Sequence, residues 1–475
     1  MKKFILFLFV AVMGWSLMIS CQDQSSVLKL AETFSAEPPR PAGQTDVVGL
    51  RCEPLPVIRA AFIGLGMRGS GTLSRFIILE GTEVKAICDL EQPNIDRAQA
   101  AITNSGRPAA DTYTGVDDWK KVCERDDIDM VYITTHWDLH ASIAKYAMEQ
   151  GKHAVVEIPL AVTMEECWDL VNTAERTRRH CIMMENTCYG AFELNTLNMA
   201  QKGLFGEIVH VEGAYIHDLV EDYMFTDRTF QAPRGGGSVL SPRGYWNFWR
   251  LTHNTNRNAA LYPMHGLGPV AQTLNINRGD KMDLLVALGS NEYNLTAYAK
   301  EKFGANSPQA QQKYNKGDMT NVLIKTAKGK SILIQHDVVS PRPYSRHHTI
   351  SGTNGFAQQY PVPTLAIKPN HHRALPNEEM EKMFEEYQHP ILKEIGEVAQ
   401  RVGGHGGMDF IMVYRLVYCL QNGLPLDMNV YDGVSWSSVI PLSEFSMENG
   451  SIPVRVPDFT RGSWQKEQGL KFAYK

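Results

Sequence analysis

The stretch "VIRAAFIGLGMRGSGTLSRFI", residues 57–77, limits what this chain can fold into more than any other. An apolar run from Val57 to Ile63 is followed at once by Gly64-x-Gly66-x-x-Gly69, and a helical pattern begins there. "TEVKAICDL" comes next and closes on Asp89, twenty positions after Gly69. Strand, glycine turn, helix, strand and acid in this order are the parts of a dinucleotide-binding unit. The first glycine permits a tight turn and the second lets backbone approach a pyrophosphate. The third lets helix lie close on strand, and the acid can bind a ribose hydroxyl. The glycines alone would be weak grounds; the whole set is specific.

The alternation continues through "DWKKVCERDDIDMVYITT", "HASIAKYAMEQGKHAVVEI" and "TMEECWDLVNTAERTRRHCIMMEN". Strands alternating with helices predict a doubly wound parallel sheet, here over residues 56–186. Ligands of such sheets bind at the carboxyl ends of the strands. Those ends carry Asp89, the segment Thr135 to His140, Glu157-Ile158-Pro159 and Glu185-Asn186. Asp138 has a plainer reading as a helix N-cap.

The chain of 475 residues is long enough for two or three domains with substantial cores. A net charge of -5 and the lack of a lysine/arginine cluster give no reason to expect nucleic-acid binding. Met1-Lys2-Lys3, the apolar "FILFLFVAVMGWSLMI" and then Ser20-Cys21 predict an export signal over residues 1–21. Cys21 fits a bacterial lipoprotein cleavage site, which predicts a lipid anchor in the periplasm or on the outer membrane. Residues 22–55, with "AEPPRPAGQ", are expected to form a linker. No CxxC pair and no Cys/His cluster of zinc spacing occurs, so no metal is expected. With Cys21 set aside seven cysteines remain, which cannot all pair.

After Asn186 the pattern changes to the strands "GEIVHVEGAYIHD", "DLLVALGS", "TNVLIKTAKGKSILIQHDVVS" and "RHHTISGTNGF", with "TAKGKS" as a hairpin turn. A second α+β domain with an open, mainly antiparallel sheet is expected over 187–475, its last segments packing back on the first domain. "NEEMEKMFEEYQHPILKEIGEVAQ" is read as one helix and "FIMVYRLVYCL" as a buried one.

This two-part order resembles the glucose–fructose oxidoreductase and inositol dehydrogenase superfamily. Within it the chain resembles glycoside hydrolase family 109, the NAD-dependent α-N-acetylgalactosaminidases. The resemblance rests on "AFIGLGMRGSG", "AICDL", "HWDLH", "VVEIP", "ENTCYG", "LYPMHGLGPVAQ", "SPRPYSR", "GGHGGMDF" and "DGVSWSSVIPLSEFSM", with "VPDFTRG" after it. It implies NAD contacts at Met67 and Arg68 in the glycine turn, Asp89, Trp137, Asp138, Leu139, His140, Glu157, Ile158 and Asn186. It implies sugar contacts at Tyr215, Arg250, Tyr262, Pro263, Met264, His265 and Tyr344. Met264 stands where threonine is frequent in the family, and "PRGGGSVLSPRGYWNFW" is longer than the family leads one to expect. The superfamily's pairing through the open sheet implies a homodimer.

The superfamily's dehydrogenases carry a lysine between the glutamate and proline of the strand end occupied here by Glu157-Ile158-Pro159. Ile158 cannot take a proton, so the usual dehydrogenase base is missing while the nucleotide motif is intact. The resemblance implies another use of NAD. The sugar's C3 hydroxyl is oxidised, C2 loses a proton, the C1 substituent leaves, water adds and C3 is reduced again. His405, between Gly403-Gly404 and Gly406-Gly407, is the candidate acid for the leaving oxygen and base for water. The glycines are expected to let the ring move between those tasks. His265 or Tyr215 is the candidate helper near C3 and C2. Read without the resemblance, His265, Tyr215 and Tyr344 are better taken as satisfied core groups. Two other functions stay open: a sugar oxidoreductase with relocated proton-transfer groups, and a lipid-anchored glycan-binding protein with a vestigial cofactor site.

Overall fold

A computed structural model of the chain describes residues 29–220, 249–369 and 372–474. The export signal, Cys21 and the long segment before Trp249 lie outside the described residues.

Six strands make the first sheet: β1 (Ile58–Ile63), β2 (Thr82–Cys88), β3 (Asp111–Tyr113), β4 (Met130–Ile133), β5 (His153–Val156) and β6 (Cys181–Met183). All neighbours are parallel and their order is β3-β2-β1-β4-β5-β6. Helices cover both faces, which is why β4 and β5 are buried at every position and read as unbroken apolar runs. The order reverses between β1 and β4. The carboxyl ends at that reversal, where Gly64 lies against Thr134, are the place at which open sheets of this kind bind their ligands.

The second sheet contains β7 (Ile208–Ile216), β8 (Met282–Gly289), β9 (Thr320–Thr326), β10 (Ser331–Asp337), β11 (Thr349–Gly352), β12 (Gly355–Gln358), β13 (Thr364–Ile367) and β14 (Val454–Arg455). Its order is β13-β12-β11-β7-β10-β9-β8-β14. Only β7 and β10 run parallel, so the sheet is mixed and mainly antiparallel. The "TAKGKS" turn joins β9 to β10 through Gly329 in the left-handed region. The fold class expected from the alternation and the later strands is the one observed.

Helices Met264–Thr273 and Val439–Glu448 cover the inner face of this sheet. Helix Met408–Gln421 is buried along most of its length and leans on β1 and helix Met67–Phe76 of the first sheet. The C-terminal third therefore joins both halves into one core.

Two expectations need correction. Residues 377–400 form two helices, Asn377–Glu386 and Pro390–Val402. Pro390 has no N–H to extend the first helix, and His389 caps the second by accepting from the Ile391 amide. Residues 29–55 are not a loose linker. Phe34 stacks on Phe445 at 4.4 Å, and Tyr431 Oη accepts from the Val47 amide. Arg40 pairs with the buried Glu175 at 3.0 Å, and the Leu55 amide donates to the Leu420 carbonyl. Composition marks such a segment as polar but does not reveal the few apolar side chains that anchor it.

Candidate active site

The glycine turn has a distinct structural reason for each glycine. Gly64 has φ +87°, and a Cβ there would collide with the Thr134 backbone. A Cβ on Gly69 would run into the Gly64 carbonyl, so helix Met67–Phe76 can lie this close to β1 only without a side chain. Gly66 faces open space, and the helix it begins has no side-chain cap. Backbone N–H groups at such a start attract a phosphate. Asp89 stands at the mouth of the turn, where its carboxylate accepts from the Leu65 amide at 2.6 Å. Asn186 Oδ1 is buried with no hydrogen-bond partner among the described residues, an acceptor left for a ligand's donor. These features fit a dinucleotide.

The other expected cofactor residues divide. Met67 is exposed at the turn, and Arg68 bridges Glu157 (Nε–Oε1 2.9 Å) and Asp409 (Nη1–Oδ2 3.1 Å). Burial pushes the Glu157 carboxyl up, and Arg68 offsets only part of that. Ile158 is buried. Trp137 opens helix Trp137–Glu149, and its ring stacks on Tyr262 at 5.7 Å, with the Arg250 guanidinium 5.1 Å from its centre. Trp137, at a strand end of the first domain, thus packs against the second domain's sugar candidates. Asp138 is not the N-cap, which is His136; it lies in the first turn, near His136 and His253. Leu139 is half-buried. His140 turns inward, its two ring nitrogens 2.7 Å from the Pro159 carbonyl and 2.9 Å from the Thr135 carbonyl. It sits between two strand-end loops.

The sugar candidates converge on β7. Tyr215 lies 5.2 Å from His265, 4.8 Å from Tyr262 and 6.3 Å from Tyr344, centre to centre. Arg250 lies 4.8 Å from the Tyr262 ring. This closeness has a sequence cause. Gly213 on β7 and Gly266 in helix Met264–Thr273 face each other so tightly that a Cβ on either would strike the other's backbone. The helix carrying His265 therefore rests directly on the strand carrying Tyr215. Pro263 and Met264 are exceptions: both are buried, and the Met264 side chain packs into the core.

Two histidines show the same device. His265 Nδ1 is 2.7 Å from Glu185 Oε1, and Glu185 is wholly buried. Burial would raise that carboxyl, but the His265 charge and hydrogen bond and two bonds from Thr187 hold it below its usual range. His405 Nδ1 is 2.9 Å from Asp409 Oδ2. Burial acts on Asp409 in the same upward sense, yet Arg68 and His405 hold it far below the usual carboxylate range. An ionised carboxylate can only accept, so in each pair Nδ1–H donates. Among the described residues neither Nε2 has a hydrogen-bond partner.

Residue pattern flagged His265, His405 and the Glu185-Asn186 strand end, but it did not pair Glu185 with a histidine 80 positions away. It missed Asp409 altogether. The signal was present, since four residues separate His405 from Asp409 and that spacing can bring side chains together across a helix start.

The chain matches the family described as the oxidoreductase family, NAD-binding Rossmann fold, over residues 58–185. It matches the family described as glycosyl hydrolase 109, C-terminal domain, over residues 189–466. An alpha-N-acetylgalactosaminidase of Bacteroides fragilis is 52% identical over 423 residues, covering 89% of this chain and 96% of that protein. A glycosyl hydrolase family 109 protein of Bacteroides thetaiotaomicron is 44% identical over 475 residues, covering 96% of this chain and 97% of its own length. Among solved structures, a levoglucosan dehydrogenase complex with NADH and L-sorbose superposes with a TM-score of 0.59 at 18% identity, covering 85% of this chain and 100% of that one. The myo-inositol dehydrogenase of Lactobacillus casei, in complex with NAD(H) and myo-inositol, gives 0.54 at 14% identity over 85% and 99%. These two likenesses establish the fold. With both halves matched in order and half the residues shared with a relative of nearly the same extent, the chain belongs to glycosyl hydrolase family 109 and is a glycoside hydrolase.

Proposed function

We propose that the chain removes terminal α-linked N-acetylgalactosamine from glycans by a redox-neutral elimination and addition that uses bound NAD. The reading is supported by two histidine–carboxylate dyads beside a nucleotide-binding site that has Ile158 where a dehydrogenase base would stand. NAD would be held by the Gly64–Gly69 turn, Asp89, Arg68 and Asn186. When bound it supplies reversible oxidation of the sugar's C3, which makes the C2 hydrogen acidic.

The chain's own groups then handle protons and orientation. His265 carries its Nδ1 proton toward Glu185, so Nε2 is the atom that accepts a proton near C3 and C2, with the Tyr215 ring packed 5.2 Å from the imidazole, centre to centre. Arg250, Tyr262, Tyr344 and Trp137 form the wall against which a sugar is positioned. His405 Nε2, protonated, gives its proton to the leaving glycosidic oxygen. Deprotonated by that step, the same nitrogen takes a proton from the incoming water. The side chain is 61% exposed at the rim, where a leaving glycan and a water can both arrive.

Incubation of the purified protein with an aryl α-N-acetylgalactosaminide and no added NAD should release the phenol without net NADH. His405→Ala should reduce release on the order of 10²–10⁴-fold with the fold intact. No release even with NAD supplied would overturn the proposal. Accumulation of NADH with a free sugar would favour the oxidoreductase.

We also propose export with a lipid anchor at Cys21 and pairing through the outer face of the second sheet, where Val209, Leu288 and Leu323 are exposed. Among the described residues no helix is long and apolar enough to cross a membrane. Release from the membrane fraction by Cys21→Ser, and a dimer mass by light scattering that falls with Leu323→Glu, are the expected results.

A further inference from the structure

Asp409 is the point where four side chains meet. It stands in the first turn of helix Met408–Gln421, four residues beyond His405, with its side chain only 3% exposed. Oδ2 faces His405 Nδ1 at 2.9 Å, Arg68 Nη1 at 3.1 Å and Arg75 Nη2 at 3.6 Å. Oδ1 accepts from Asn186 Nδ2 at 2.6 Å. Arg68 and Arg75 belong to the helix that begins at the glycine turn, and Asn186 follows β6. A carboxylate held from three sides has one orientation, and His405 sits on an otherwise open glycine loop.

We infer that Asp409 is a positioning residue for His405. It holds the ring by Nδ1–H, leaves Nε2 as the only atom able to carry protons, and ties the glycine loop to the nucleotide-binding half through Arg68 and Asn186. The inference rests on the proposed role of His405 for its effect on turnover, but the bond itself is testable without turnover.

The geometry supports a positional and not merely structural reading. With His405 removed the buried charge would still have Arg68, Arg75 and Asn186 around it, so the fold does not depend on the histidine at Oδ2. The ring, more than half exposed, would be free to turn about its own side-chain torsions without that bond. A free imidazole favours the other tautomer, with the proton on Nε2. Asp409 thus reverses the ring's own preference.

The test uses ¹⁵N-histidine-labelled full-length protein. The nitrogen shifts of His405, assigned by their loss in His405→Ala, should show the Nδ1–H tautomer in the wild type above the pH where the ring deprotonates. In Asp409→Ala that preference should disappear. The variant's kcat should fall on the order of 10²-fold, with KM changed less than about threefold. The double variant with His405→Ala should be no slower than His405→Ala alone. A wild-type Nε2–H tautomer would overturn the inference, and so would independent, multiplying losses in the double variant. Should Asp409→Ala not fold, the wild-type spectrum alone decides. Should His405→Ala prove fully active, the proposed mechanism fails, while the tautomer still reports whether Asp409 sets the ring.

Discussion

His405 has φ +47°, and Gly403, Gly404, Gly406 and Gly407 have φ between +70° and +98°. Five successive residues in the left-handed region explain a run of glycines better than freedom to move does. Only glycine adopts that region without cost, and a residue with a Cβ there is strained by about 1–2 kcal/mol. His405 is the one position in the run where strain is retained. His405→Gly should therefore leave the urea midpoint nearly unchanged, relief of about 1 kcal/mol of strain offsetting the lost bond to Asp409, while abolishing turnover. Gly404→Ala should cost more stability than Gly406→Ala, because its Cβ would strike Arg75 whereas Gly406 faces open space. Equal losses in the two would speak against this account. The motif made the histidine visible in the sequence. Its backbone geometry was not visible, and the spacing to Asp409 hinted at a partner without showing that Arg68, Arg75 and Asn186 arrive from elsewhere in the chain to hold it.

Among the elements, the helix Met264–Thr273 has the strictest placement. Gly266 lets it rest on β7, and Gly268 lets it approach Glu185 and Trp436. Gly266→Ala should push the helix off the strand, costing about 1–3 kcal/mol by overpacking. It should also lower turnover more than a surface Gly→Ala such as Gly203→Ala, as measured by denaturation and aryl-glycoside hydrolysis side by side. Sequence patterns recovered the parallel strands well, because strands buried on both faces are apolar throughout. They recovered β7 to β11 of the second sheet too, but not the short strands β12, β13 and β14. They joined residues 377–400 into one helix because helical spacing carries across Pro390 even though the backbone bonds do not. His140 illustrates the limit at a site: the same residue type at a strand end can face a ligand or, as here, turn inward between two carbonyls of the protein.

For the whole molecule, acid should act in two stages. Burial pushes His180, His253, His348 and His389 down to about 4 each. Below the ordinary histidine range of about 6.5 the unfolded chain binds protons that the folded chain refuses, so stability falls as pH drops from there toward 4. Asp409 and Glu185 lie on the opposite side: their folded values are depressed, so their contribution is complete above the usual carboxylate range and is lost below it. Urea midpoints should decline from pH 7 to 5 and more steeply below about 4.5. His348→Gln, which keeps a partner for Thr196 at the helix Ala191–Gln201, should flatten the first stage. A midpoint constant from pH 7 to 5 would refute it.

The anchored strap at residues 29–55 sets a length scale. Seven residues, 22–28, separate Cys21 from residue 29, the first described residue. Fully extended they span at most about 25 Å. On the proposed lipid anchor the enzyme would be held on a short leash, its body no farther from the bilayer than its own half-width. It could work only on chains that come to the membrane surface, and glycans would have to be delivered there by diffusion or by neighbouring receptors.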